Sequence, residues 1–125
     1  MQIQITFRHV LPTWELEELV HREIDHLRRL TDHRLLWCHV VIEQPHQRQA
    51  RPIQARILIR GTWGAGPSGR VAMATAEHEL AAGALSLAFE TLSRDVRAAH
   101  EARRNGPRRA AERVRAALPV QQLVG

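Results

Sequence analysis

From Ile53 to Arg60 the chain alternates without a break: Ile53, Ala55, Ile57 and Ile59 fall on one side, Gln54, Arg56, Leu58 and Arg60 on the other. A period of two is that of a β-strand with one buried face. A strand cannot satisfy its backbone donors and acceptors alone, so this segment demands partners in a sheet. Three further segments offer themselves. Gln2 to Arg8 sets Ile3, Ile5 and Phe7 against Gln4, Thr6 and Arg8. Leu35 to Glu43 is apolar and β-branched, with Cys38, Val40 and Ile42 on one face and Trp37, His39 and Val41 on the other. Arg70 to Ala76 reads as a fourth, short strand.

Two segments change period. After Pro12, Thr13 is placed to cap a helix, Glu15, Glu17 and Glu18 favour the positive end of its dipole, and Leu16, Leu19, Val20, Ile24 and Leu27 recur at helical spacing. A helix is expected from about Trp14 to Leu30. A second is expected from about Glu79 to Arg104, its buried stripe formed by Leu85, Ala88, Phe89, Leu92, Val96 and Ala99, with Asn105-Gly106-Pro107 stopping it. Gln44 to Arg51, with Pro45, reads as a turn. Gly61 to Gly69 reads as a loop, in which Trp63 either stacks on a base or partner or folds back over the sheet.

The order β-α-β-β-β-α predicts an α+β two-layer sandwich: a four-stranded sheet, the last three strands an antiparallel meander, both helices on one face. The other face would then present Gln4, Thr6, Arg8, Trp37, His39, Gln54, Arg56, Leu58 and Arg60. One domain over residues 1–104 is expected, followed by an Arg-rich tail over 105–125, expected to be flexible, whose Ala/Arg/Glu run has the makings of one helical turn.

Charge is distributed unevenly. All 18 basic residues are arginine, and the formal net charge is +5. Residues 1–93 carry 10 Arg against 10 acids, whereas residues 94–125 carry 8 Arg against Asp95, Glu101 and Glu112, so the excess is 8 − 3 = +5. A basic segment of this kind is the electrostatic footprint of a binder of nucleic acid or another polyanion. Arginine-only usage also fits a GC-rich genome.

Other chemistries find little support. Cys38 is the single cysteine, so no internal disulfide is possible, which suits a reducing cytoplasm. Neither a signal peptide nor a membrane span is expected. The eight histidines have no structural-zinc spacing: His21 and His26 lie on different helix faces, and His33 and His39 flank a strand start. No Gly-rich phosphate loop precedes a helix, and acids and histidines are scattered. The expectation is a binding protein, not an enzyme, with no metal, cofactor or small-molecule substrate.

The opening Met-Gln-Ile-Gln-Ile-Thr-Phe-Arg-His-Val resembles the start of ribosome hibernation-promoting factors and ribosome-associated inhibitors, which have glycine where this chain has Phe7. Leu36 to Glu43 (LWCHVVIE) resembles their second strand, Ile53 to Gly61 (IQARILIRG) their third, and Leu85 to Arg97 their final helix, with Leu92, Arg94 and Arg97 in the matching places. The resemblance covers roughly Met1 to Arg104. This chain departs from it in having no lysine on the last helix, an Ala-Ala-Gly run at residues 81–83 and a longer loop at 61–69. About 20 residues follow Asn105, too few for the second domain of the long members, so the short form is implied.

The resemblance implies a translation-silencing factor that binds small-subunit rRNA in the tRNA and mRNA channel and blocks initiation sterically. The small ribosomal subunit and its rRNA would be the partners. Arg94, Arg97 and Arg104, on one stripe of the second helix, would contact phosphates; the alternative for them is a solvated basic face paired to Asp95 and Glu101. Arg8 and His9 match the family's Arg-His after the first strand; they otherwise serve the turn. Arg56 and Arg60 project from the open sheet face. Arg22, His26 and Arg29 form a stripe on the first helix, where Glu18 and Asp25 also fit a mixed solvated surface. The candidate RNA contacts are thus Arg8, His9, Arg22, Arg29, Arg56, Arg60, Arg94, Arg97 and Arg104. The alternative is a protein-protein interaction adaptor of the same fold that no longer binds ribosomes.

Overall fold

The computed structural model describes residues 1–45, 52–64 and 69–117, with side chains through residue 102. The elements are β1 (Gln2–Arg8), α1 (Trp14–Leu30), β2 (Leu35–Glu43), β3 (Ile53–Gly61), β4 (Arg70–His78) and α2 (Ala81–Ala117). The strands form one sheet in the order β1-β2-β3-β4. β1 pairs parallel to β2, as a strand returning through a crossover helix must. β2, β3 and β4 form the expected antiparallel meander.

Both helices lie on one sheet face and enclose the core. Val20, Ile24 and Leu27 of α1 and Leu85, Phe89, Leu92 and Val96 of α2 are buried against Cys38, Val40 and Ile42 of β2 and Ala55, Ile57 and Ile59 of β3. Each large apolar side chain so buried stabilises the fold by roughly 1.5–3 kcal/mol. Val41, on the open face, is also nearly covered, because it sits between Thr6 and Arg56 on the neighbouring strands.

The ends of α1 follow from local chemistry. Thr13 Oγ1 accepts the Leu16 backbone N–H at 3.2 Å. Glu15 and Glu17 occupy the first turn, and Arg28 and Arg29 the last. The chain then reverses through Asp32 and His33, both with left-handed backbone (φ 53° and 61°), a region that Asp and His tolerate better than most residues.

Two expectations are corrected. α2 does not stop at Asn105-Gly106-Pro107 but runs on to Ala117. Proline removes one backbone donor and disfavours its own position by about 3 kcal/mol. The residues after it, from Arg108 to Ala117, are nearly all strong helix formers, and they carry the helix past the break. The start also moves from Glu79 to Ala81, where the His78 ring takes over capping: its Nδ1 accepts the Leu80 N–H at 2.9 Å. Gly83 belongs to this device, since a Cβ there would come within 2.3 Å of His78 Nδ1.

Trp63 resolves to the second of its two readings. It is 3% exposed and belongs to the core. It folds over Gly61, where a Cβ would lie 2.9 Å from the indole and 2.3 Å from the Arg34 carbonyl oxygen. The expected turn at 44–51 and loop at 61–69 lie partly outside the described residues, at 46–51 and 65–68, as do residues 118–125 of the tail.

Candidate nucleic-acid interface

The helical layer carries a groove between its two helices. Glu23 and His26 line it from α1, and Ser86, Glu90, Ser93, Arg94 and Arg97 from α2, around a volume of about 270 Å³. The α2 residues recur three and four apart (86, 90, 93, 97), which sets them on one flank of the helix beside the buried stripe. His26 belongs to the α1 stripe it forms with Arg22 and Arg29, both exposed.

Formal charge in the groove is balanced, Arg94 and Arg97 against Glu23 of α1 and Glu90 of α2. Arg94 Nη2 donates to Glu90 Oε1 at 2.6 Å, with both side chains more than half exposed. An exposed pair of this kind contributes only about 0.3–0.5 kcal/mol, so the guanidinium can exchange the carboxylate for another anion at small cost. Arg28 on α1 pairs with Asp25 at 3.6 Å. The ion pairs among the described residues include none of Arg22, Arg29 and Arg97.

The remaining candidates lie elsewhere. Arg56 and Arg60 are exposed on the opposite, open sheet face, and the Arg60 guanidinium sits 5.2 Å above the centroid of Trp37, its cross-strand neighbour. Trp37 meets His39 edge-on at 5.9 Å, and His39 Nε2 is 3.2 Å from Thr6 Oγ1. Arg8 closes β1 in register with Glu43, and its carbonyl accepts the Gln44 N–H at 3.0 Å. His9 turns the chain away with φ 59°. The nine candidates therefore do not share one surface. Arg22, Arg29, Arg94 and Arg97 lie on the helical layer, and Arg8, Arg56 and Arg60 on the sheet face. The Arg104 side chain is outside the described residues.

Sequence reasoning missed Glu23, Ser86, Glu90 and Ser93. The signal was the polar spacing 86, 90, 93, 97 alongside the apolar stripe, which becomes a groove only once α1 packs beside it. Cys38 contributes nothing to either surface: it is fully buried, and that burial pushes its thiol from 9.0 up to about 12. Among the described residues no three His, Cys, Asp or Glu side chains converge as metal ligands.

A four-stranded mixed sheet with two helices on one face, and a polar groove between those helices, defines a small α+β binding domain. The chain belongs to the Sigma 54 modulation protein / S30EA ribosomal protein family, which it matches over residues 3–104. No curated protein matches the sequence. Among solved structures, the chain is similar to the N-terminal domain of Protein Y from Thermus thermophilus, with a TM-score of 0.59 and 18% identity over 78% of this chain and 97% of that one. It is also similar to a ribosomal subunit interface protein from Coxiella burnetii, with a TM-score of 0.58 and 17% identity over 77% of this chain and 93% of that one. At these identities the likeness shows a common fold.

Proposed function

We propose that this protein is a ribosome-associated factor of the cytoplasm that silences translation by occupying the small subunit, its helical layer set against rRNA in the tRNA and mRNA channel. The family match over residues 3–104, which spans the sheet, α1 and α2 as far as Arg104, carries the proposal. The geometry supports it: Arg94 and Arg97 line the groove, and Arg22 and Arg29 are exposed on the adjoining helix. Inhibition on this reading is steric, and no bond is made or broken. Arg104 lies two turns beyond Arg97 in α2, and residues 105–125 add positive charge.

Each phosphate contact releases counterions, so binding must weaken steeply with salt. Co-sedimentation with ribosomes and separated subunits across a salt series tests this, beside a variant with Arg94, Arg97 and Arg104 changed to Ala. The expected result is salt-sensitive pelleting with the small subunit that the variant loses. Absence of pelleting at low salt would remove the reading. The alternative, a protein-binding adaptor, draws on the balanced charge of the groove and would show little salt dependence.

A further inference from the structure

β4 is the outer strand of the sheet, and among the described residues nothing pairs with its free edge. Proteins ordinarily protect such an edge with lysine, proline, a bulge or a very short strand. β4 has none of these. It is nine residues long (RVAMATAEH), uncharged from Val71 to Ala76, and its register with β3 is continuous from Gly61–Arg70 to Ile53–His78. Val71 and Met73 stand exposed on the open face, at 64% and 58%. Ala72, Ala74 and Ala76 face the helical layer, so no large side chain obstructs approach there.

We propose that β4 is a self-association edge, which pairs antiparallel with β4 of a second copy to give a continuous eight-stranded sheet. A two-fold axis normal to the sheet keeps both open faces on the same side, so only residues pointing the same way can stand opposite one another. Ala74, the midpoint of Arg70–His78, satisfies this and uses the whole strand. Met73 of each copy then faces Thr75 of the other, and Val71 faces Glu77. The open-face charges are self-complementary in this register. Arg60 is the cross-strand neighbour of Val71, and Glu77 lies at the other end of β4. The two-fold therefore sets Arg60 of each copy and Glu77 of the other on either side of Val71, and Arg60 reaches that carboxylate by swinging from the Trp37 ring across Val71. The β1 edge lacks this arrangement, because its open-face residues are Gln2, Gln4, Thr6 and Arg8, without an acid among them.

The test is sedimentation equilibrium of the full chain from micromolar to millimolar concentration, beside Met73→Lys, Glu77→Arg and the double variant Glu77→Arg/Arg60→Glu. Circular dichroism establishes that each variant is folded, and Thr75→Lys repeats the edge substitution should Met73→Lys fail to fold. The wild type should dimerise reversibly, the lysine variant should be monomeric over the whole range, and Glu77→Arg should weaken dimerisation at least tenfold, with recovery in the double variant. A wild type that remains monomeric at millimolar concentration, or a dimer indifferent to the edge lysine, would overturn the proposal. A dimer lost with the lysine but not rescued by the charge exchange would overturn the Ala74-centred register. None of these outcomes depends on ribosome binding.

Discussion

Glu90 holds Arg94 at 2.6 Å within one turn of α2, at the wall of the groove between the helices. If Arg94 grips phosphate, this carboxylate is its competitor, and the nearest negative charge the incoming anion meets. Glu90→Gln should therefore tighten ribosome binding by several-fold. It should also steepen the dependence of log affinity on log salt by up to about one unit, the increment of one further phosphate contact. Pelleting assays at stepped salt read both quantities. A Glu90→Gln variant that binds more weakly would show that the pair positions Arg94 instead of restraining it.

Trp63 should behave as a core residue. Trp63→Ala is expected to cost about 3–5 kcal/mol in urea unfolding, the range of large aromatic truncations. Gly61→Val should also destabilise, by about 1–3 kcal/mol, since its side chain would meet both the Arg34 carbonyl and the indole. Trp63 should be shielded from a fluorescence quencher such as iodide, whereas Trp14, at 68% exposure, should not. Quenching of Trp63 in the folded protein would contradict its packing.

The Thr13 cap is a separable contribution. Thr13→Ala removes the acceptor of the Leu16 N–H and should cost about 1 kcal/mol. In a domain of this size that lowers Tm by roughly 4 °C. Thr13→Asp should keep most of the stability, because Asp accepts the same bond and adds a favourable charge at the helix start. Equal losses in the two variants would exclude capping as the cause.

Cys38 gives a pH dependence whose sign is fixed by its burial. In the folded protein the thiol ionises at about 12, against 9.0 when unfolded. Below 9 both states hold the proton and Cys38 contributes no pH dependence. Between 9 and about 12 only the unfolded chain ionises, so stability must fall as pH rises through that window. Comparing unfolding of wild type and Cys38→Ala at pH 8 and 10.5 isolates this contribution, which the variant should lack. A thiol reagent should modify Cys38 only at the rate the protein opens.

Much of the architecture was legible because each layer leaves a periodic mark. Ile53 to Ile59 fixed a strand and its buried face, and Thr13 with the Leu16–Leu27 stripe fixed α1 at both ends. Arg94 and Arg97 were visible as a basic stripe. What was not legible depends on contacts between distant segments. The groove needs Glu23 and His26 of α1 beside Ser86 and Glu90 of α2, which no single window contains. Gly83 reads as a helix weakness until the His78 ring is seen to require its missing side chain. Asn105-Gly106-Pro107 is a strong local stop signal, yet it is outweighed by the helix-forming run beyond it. The candidate arginines could be placed on elements, but their division between two opposite faces follows only from how the layers stack.

The parallel register of β1 with β2 has a consequence for how the molecule is made. Ile3 lies beside Cys38 and Phe7 beside Ile42, so β1 has no strand partner until about 35 further residues have been synthesised. A nascent chain must hold Ile3, Ile5 and Phe7 without a sheet to cover them while α1 forms. Only after β2 emerges can β1 lock in place, and the most separated pairings along the chain are the ones that close loops at the greatest entropic cost. β1 is thus made well before the strand that holds it.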